Sequence, residues 1–157
     1  MEILKEATVK IKTEHGEIER PAMVSDLCPG LAICHCTFAR FNVTHVKSGT
    51  KIGATFKLFG DALLLFSKLA TIAKDNDISW DVDQSKILKT MKKIYDSPVP
   101  FDSTVIYMGK ERKQTCKEFF QGMQFSDLHS FMDDEADRED EALHLLEKCK
   151  SKPELAE

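Results

Sequence analysis

With 157 residues, 42% of them apolar, the chain has the usual size of one domain and enough apolar content for a single two-layer core. No run reaches the roughly 18 uncharged apolar residues of a membrane helix, since the best candidate, Phe59 to Ala73, is interrupted by Asp61 and Lys68. A net charge of −4 excludes a strongly basic nucleic-acid binder, and "MEILKEATVK" has charges where a secretory signal would place its apolar centre, so a cytoplasmic protein without a membrane partner is expected.

In chain order, "ATVKIKTEHGEIERPAMVS" alternates, with Val9 and Ile11 on one face and Lys10 and Lys12 on the other. It predicts a hairpin bending at "EHGE", whose second strand Pro21 pushes toward an edge. After the break at "LCPG", the β-rich runs "LAICHCTF" and "FNVTHV", separated by Ala39 and Arg40, predict a second hairpin. At "FGDALLLFSKLATIAKD" the period changes. Leu64, Leu65, Leu69, Ile72 and Ala73 recur at helical spacing, Leu63 and Phe66 widen the stripe, and Asp61 is the expected N-cap.

"ISWDV" reads as a short strand, and "QSKILKTMKKIYD" as a helix starting from Asp83 or Ser85. Ile87, Leu88, Met91, Ile94 and Tyr95 form its apolar face, Lys86, Lys89, Lys92 and Lys93 much of the other, and "SPVP" stops it. "STVIYMG" reads as a strand, "KERKQTCKEFFQGMQFSDLHSFM" as a helix with a weak point at Gly122, and "DDEADREDEALHLLEKCK" as a helix with a polar beginning. The expected fold is α+β, antiparallel hairpins packed on three to four helices, with one globular domain over residues 1–132 and an acidic C-terminal helical segment over 133–157.

The five cysteines, Cys28, Cys34, Cys36, Cys116 and Cys149, have no framework spacing and read as free thiols. "CPGLAICHC" gathers thiolates and an imidazole, but on a strand His35 faces away from Cys34 and Cys36, so no metal and no cofactor is expected. In "THVKSG", Thr44 and His45 likewise point to opposite faces, so the residues predict a turn: Gly49 supplies a positive φ, Ser48 bonds local backbone and His45 holds the loop through a ring nitrogen. No catalytic residue is assigned, and the phosphate-loop, dinucleotide, "HExxH" and Gly-x-Ser-x-Gly signatures are all missing.

The positions Val43, Thr44, His45, Ser48, Gly49, Ile52, Phe56, Ala62, Leu63, Leu69 and Ala70 carry a resemblance. Over about thirty residues, Val43 to Ala70, the chain resembles small phage and mobile-element proteins without an assigned activity, in which a Val-Thr-His strand turns through Gly into an Ala-rich helix. The resemblance implies a mobile-element accessory protein and transfers no catalytic residue.

Charge is uneven. Residues 127–157 hold eleven Asp or Glu against four Lys or Arg, a net of −7, which leaves +3 on the first 126. Such a split suggests an acidic arm for a basic partner or a segment that folds back on the lysine-rich helix. The sequence, read with this resemblance, therefore predicts a non-enzymatic binding protein of phage or mobile-element type, an inhibitor that occupies a macromolecular surface on a host protein or protein complex such as a defence component. Its candidate binding residues are Asp133, Asp134, Glu135, Asp137, Glu139, Asp140, Glu141, His45 and Ser48. The alternatives are a nucleic-acid-binding accessory module using residues 86–93 with "GKERK", and a small metal-independent enzyme or nucleotide binder using the "THVKSG" turn; a homodimer stays open.

Overall fold

The computed structural model describes residues 3–36, 39–123 and 135–150. Its first half is an antiparallel meander of five strands, β1 (Lys5–Thr13), β2 (Gly16–Val24), β3 (Leu31–Cys36), β4 (Arg40–His45) and β5 (Thr50–Phe56), hydrogen-bonded in sequence order. The alternation of Val9 and Ile11 with Lys10 and Lys12 pairs β1 along the whole of β2, from Lys5 opposite Val24 to Thr13 opposite Gly16. Pro21 does not put β2 at the sheet edge. The β2–β3 ladder covers only Ala22 opposite Cys34 and Met23 opposite Ile33, so Pro21 lies where β2 has no β3 partner and its missing N–H costs nothing.

The sheet curls. The turn after β4 reaches β1, where the Lys12 N–H donates to the Gly49 carbonyl at 2.9 Å. Gly49 has φ +72°, and a Cβ there would stand 2.9 Å from the Lys10 carbonyl oxygen, so this contact needs glycine for both its backbone angle and its lack of a side chain. The curl closes the small residues Val9, Ala22, Ala32 and Cys34 into a second, minor core.

The main core lies on the other face, under α1 (Phe59–Asn76). This helix is apolar nearly all round, because the sheet covers one side and the last helix, α4 (Glu135–Lys148), covers another. Leu63, Phe66, Leu69 and Ile72 are almost inaccessible to solvent, each contributing about 1.5–3 kcal/mol by burial. α1 begins two residues before Asp61: its N-cap is Leu58, with no side-chain cap, and Asp61 lies in the first turn, where the macrodipole favours a carboxylate.

α2 (Gln84–Lys93) buries no residue, and Leu88, expected on its apolar face, is 61% exposed; Ile94, just past the helix, is the buried anchor. "ISWDV" is a loop instead of a strand, because Trp80 turns its ring into the core and donates its indole N–H to the Leu69 carbonyl at 2.9 Å. "KERK" is also not helical. It forms β7 (Lys110–Lys113), paired with β6 (Thr104–Tyr107) in a separate two-stranded hairpin. α3 (Cys116–Gly122) follows, opened by a capping box in which Thr115 and Glu118 each satisfy the other's backbone N–H. No helix among the described residues is long and apolar enough to cross a membrane.

Candidate functional site

The "THVKSG" segment is a closed network. Strand alternation sends Thr44 to the minor-core face, where its hydroxyl donates to Asn42 Oδ1 at 2.7 Å, and sends His45 to the α1 side. The carbonyls of Trp80 and Val82 lie 3.1 and 2.7 Å from His45 Nε2; carbonyls only accept, so Nε2 carries the proton. Nδ1 then accepts from the Ser48 hydroxyl at 2.7 Å, and Ser48 Oγ accepts from the Thr50 N–H and hydroxyl. With His45 1% and Ser48 7% exposed and both ring nitrogens engaged, the pair ties the α1–α2 loop to the end of the sheet and offers no atom to a substrate.

Of the acidic candidates, Asp133, Asp134 and the side chain of Glu135 lie outside the described residues. Asp137, Asp140 and Glu141 are exposed on α4, and Glu139 is partly buried. The opposite face of α4 docks on α1 through Ala142, Leu145, Leu146 and Cys149, while Leu143 is 37% exposed. Arg138 reaches back to the Asp61 carboxylate. The acids are thus presented from a helix that is itself part of the core.

The β6–β7 hairpin shows the opposite character. Its two-residue turn places Met108 (φ 52°) and Gly109 (φ 78°) in the left-handed region, as a type I′ turn requires. Gly adopts this conformation freely, whereas Met at the first position is strained. The tip is apolar and in solvent: Ile106 is 77%, Tyr107 60% and Met108 85% exposed. Two-stranded hairpins are marginal alone, and this one is fixed at its base. Arg112 grips Glu118 with both terminal nitrogens, at 2.9 and 2.5 Å, and its guanidinium lies 5.3 Å from the centre of the Tyr107 ring. Glu118 also closes the α3 capping box, so one carboxylate joins the hairpin to the helix behind it. Lys110 and Lys113 make no ion pair among the described residues. The sequence carried two signals for this arrangement: "YMGK" is a two-residue hairpin turn with Gly second, and "TCKE" is a capping box.

All five cysteines are free. Cys34 is buried and Cys36 half-buried on one sheet face, while His35 projects from the other and stacks on Phe41 with centroids 5.0 Å apart. No three His, Cys, Asp or Glu side chains among the described residues gather into a metal-binding group. Comparison with known proteins finds no match, whether with family models, curated proteins or solved structures.

Proposed function

We propose that the chain is a non-enzymatic binding protein that occupies the surface of a partner protein, a host factor in the setting its likeness to mobile-element proteins implies, and that the β6–β7 hairpin enters that partner. The observation that carries this reading is the exposed trio Ile106, Tyr107 and Met108 on a hairpin locked from behind by Arg112 and Glu118. Tyr, Met and Arg are favoured anchors at interface centres. A rigid tip loses little conformational freedom on docking, so more of its contact energy survives as affinity. Apart from the Tyr107 ring's contact with Arg112, the fold gains little from three large side chains in water, and a strained Met108 adds a cost that binding explains. The partner surface is an apolar cleft with acidic groups near Lys110 and Lys113. Asp137, Asp140 and Glu141 on α4 supply a second, steering field of opposite sign, screened over roughly 10 Å at 0.1 M salt.

The test is quantitative affinity capture from host lysate with three full-length baits: wild type, Ile106→Thr/Tyr107→Ser/Met108→Ser, and Asp137→Lys/Asp140→Lys/Glu141→Lys. A partner lost with the hairpin variant, at unchanged melting temperature, supports the reading. Loss only with the α4 variant keeps protein binding and moves the interface to α4. Equal capture by all three, or none by the wild type, removes both surfaces.

A further inference from the structure

A second feature lies apart from the hairpin tip. Asp61, Leu64, Leu65 and Lys68 recur at i, i+3, i+4 and i+7 along α1 and so line one helical stripe. That stripe floors a cleft of about 350 Å³ between α1, α3, the base of the hairpin and Arg138 of α4. This is near the lower end of small-ligand sites, which run from about 300 to 1,000 Å³.

The cleft's polar groups are unevenly satisfied. Asp61 and Arg138 hold each other. Lys68 is half-buried and makes no hydrogen bond or ion pair among the described residues; its ammonium lies 5.2 Å from the centre of the Phe101 ring. Burial pushes its pKa below the ordinary lysine value, and Glu141, beyond ion-pair distance, opposes that only in part. The Ser103 hydroxyl donates to Gln114 Oε1 at 2.8 Å, which leaves the Gln114 Nε2 hydrogens to point elsewhere. The cleft thus offers an ammonium and an amide donor, both underused, against apolar walls of Leu64, Leu65 and Phe119.

We propose that this cleft binds a small monocarboxylic acid, its carboxylate received by Lys68 and the Gln114 amide and its apolar body laid against Leu64, Leu65 and Phe119. Charge selects the class: Asp61 already holds Arg138, which leaves the Lys68 ammonium as the positive charge without an ion-pair partner among the described residues, so a monoanion matches it, whereas a phosphate dianion brings a second charge that the nearby Asp61 and Glu141 carboxylates repel. Desolvated surroundings make the ammonium–carboxylate contact stronger than it would be on the surface.

Calorimetric titration of the full chain with 4-phenylbutyrate, its neutral amide 4-phenylbutyramide, and inorganic phosphate tests the assignment. The acid is expected to bind about tenfold tighter than the amide, as for a charge-assisted contact, and phosphate not to bind. Lys68→Met abolishes the preference for the acid, Gln114→Leu weakens both probes because each presents an oxygen to the lost amide donor, and the hairpin variant leaves both unchanged, which separates this site from the docking reading. A pentapeptide ending in a free Leu carries the same group, and whichever of it and 4-phenylbutyrate binds tighter names the source of the carboxylate. Should Lys68→Met misfold, the wild type decides by pH: acid binding fades as Lys68 loses its proton, and amide binding does not. Equal affinity for acid and amide, a preference that survives in Lys68→Met, tighter binding of phosphate, or no binding of either organic probe overturns the proposal.

Discussion

Arg138 of α4 pairs with Asp61 in the first turn of α1, and solvent barely reaches them: their side chains are 14% and 7% exposed. The pair joins the last helix to the central one at the end opposite the Leu145–Leu146 contact. Removing one member strands a charge in a poorly solvated place, at a cost of about 3–5 kcal/mol, whereas replacing both with apolar groups of similar volume is close to neutral. Arg138→Met should therefore lower the urea midpoint strongly, and Asp61→Leu/Arg138→Met should restore most of the loss. A double variant as unstable as the sum of the singles would show that the two residues act independently.

His45 is assigned a structural task. In His45→Ala the carbonyls of Trp80 and Val82 lose their donor and a buried ring is replaced by a void. The cost is about 2–4 kcal/mol by analogy with unsatisfied buried acceptors and large-to-small core changes. The indole N–H resonance of Trp80 should shift in the same variant, because the loop it sits on comes loose. Unchanged stability with an unmoved indole signal would return the "THVKSG" segment to the list of chemical sites.

The hairpin's hold on α3 is sensitive to acid. The Arg112 guanidinium, helped by the Thr115 N–H, holds the Glu118 carboxyl at about 2 instead of its ordinary 4.5. A carboxyl whose folded-state pKa is depressed stabilises fully above the unfolded value and loses that contribution as pH falls through the folded one. The hairpin should stay locked down to about pH 4.5 and loosen progressively from there toward pH 2. Carbon-detected titration of Glu118 should show its inflection near the low end of this window, and Arg112→Met should return it toward 4.5. An inflection already near 4.5 in the wild type would contradict the locked geometry.

The thiols should separate by access. Cys28, Cys34, Cys116 and Cys149 are 5% exposed or less, and burial raises their pKa values, that of Cys116 to about 11. Cys36 is half-buried; desolvation raises its pKa too, but Arg20 and Lys51 oppose the rise. A mild thiol reagent on the native protein should therefore label Cys36 first and the other four only on unfolding, as read by mass spectrometry of the digested chain. Early labelling of Cys28 or Cys149 would mean that α1 and α4 open in solution.

These expectations also mark what could be read from the sequence. The α+β class, the paired strands and the buried stripe of α1 follow from local periodicity, which Val9, Ile11, Leu65, Leu69 and Ile72 carry plainly. The failures are non-local. "KERK" has the residues of a helix, yet the Met108–Gly109 turn and pairing with Thr104–Tyr107 make it a strand. "ISWDV" has the residues of a strand, yet the Trp80 ring fits the core and its carbonyl meets His45, so the segment becomes a loop. Asp61 looked like a cap because its ion-pair partner, Arg138, lies far along the chain. Charge showed that the last segment is acidic, but which acids face outward depends on how Ala142, Leu145 and Leu146 seat α4 on α1. The turn signal "YMGK" is present in the sequence, but a strand taken to stop at Gly109 has no second strand to pair with, and without it Ile106 and Tyr107 read as ordinary strand residues instead of an apolar hairpin tip.

Site-specific photocrosslinking tests the docking claim most directly. A photoreactive amino acid replaces Met108 in one version of the full chain and Asp140 in another, and both are irradiated in host lysate at matched concentration. The account predicts a discrete protein adduct from position 108, competed away by unlabelled wild type and not by the Ile106→Thr/Tyr107→Ser/Met108→Ser variant. An adduct competed equally by both, or one that forms only from position 140, would contradict a hairpin that inserts into its partner.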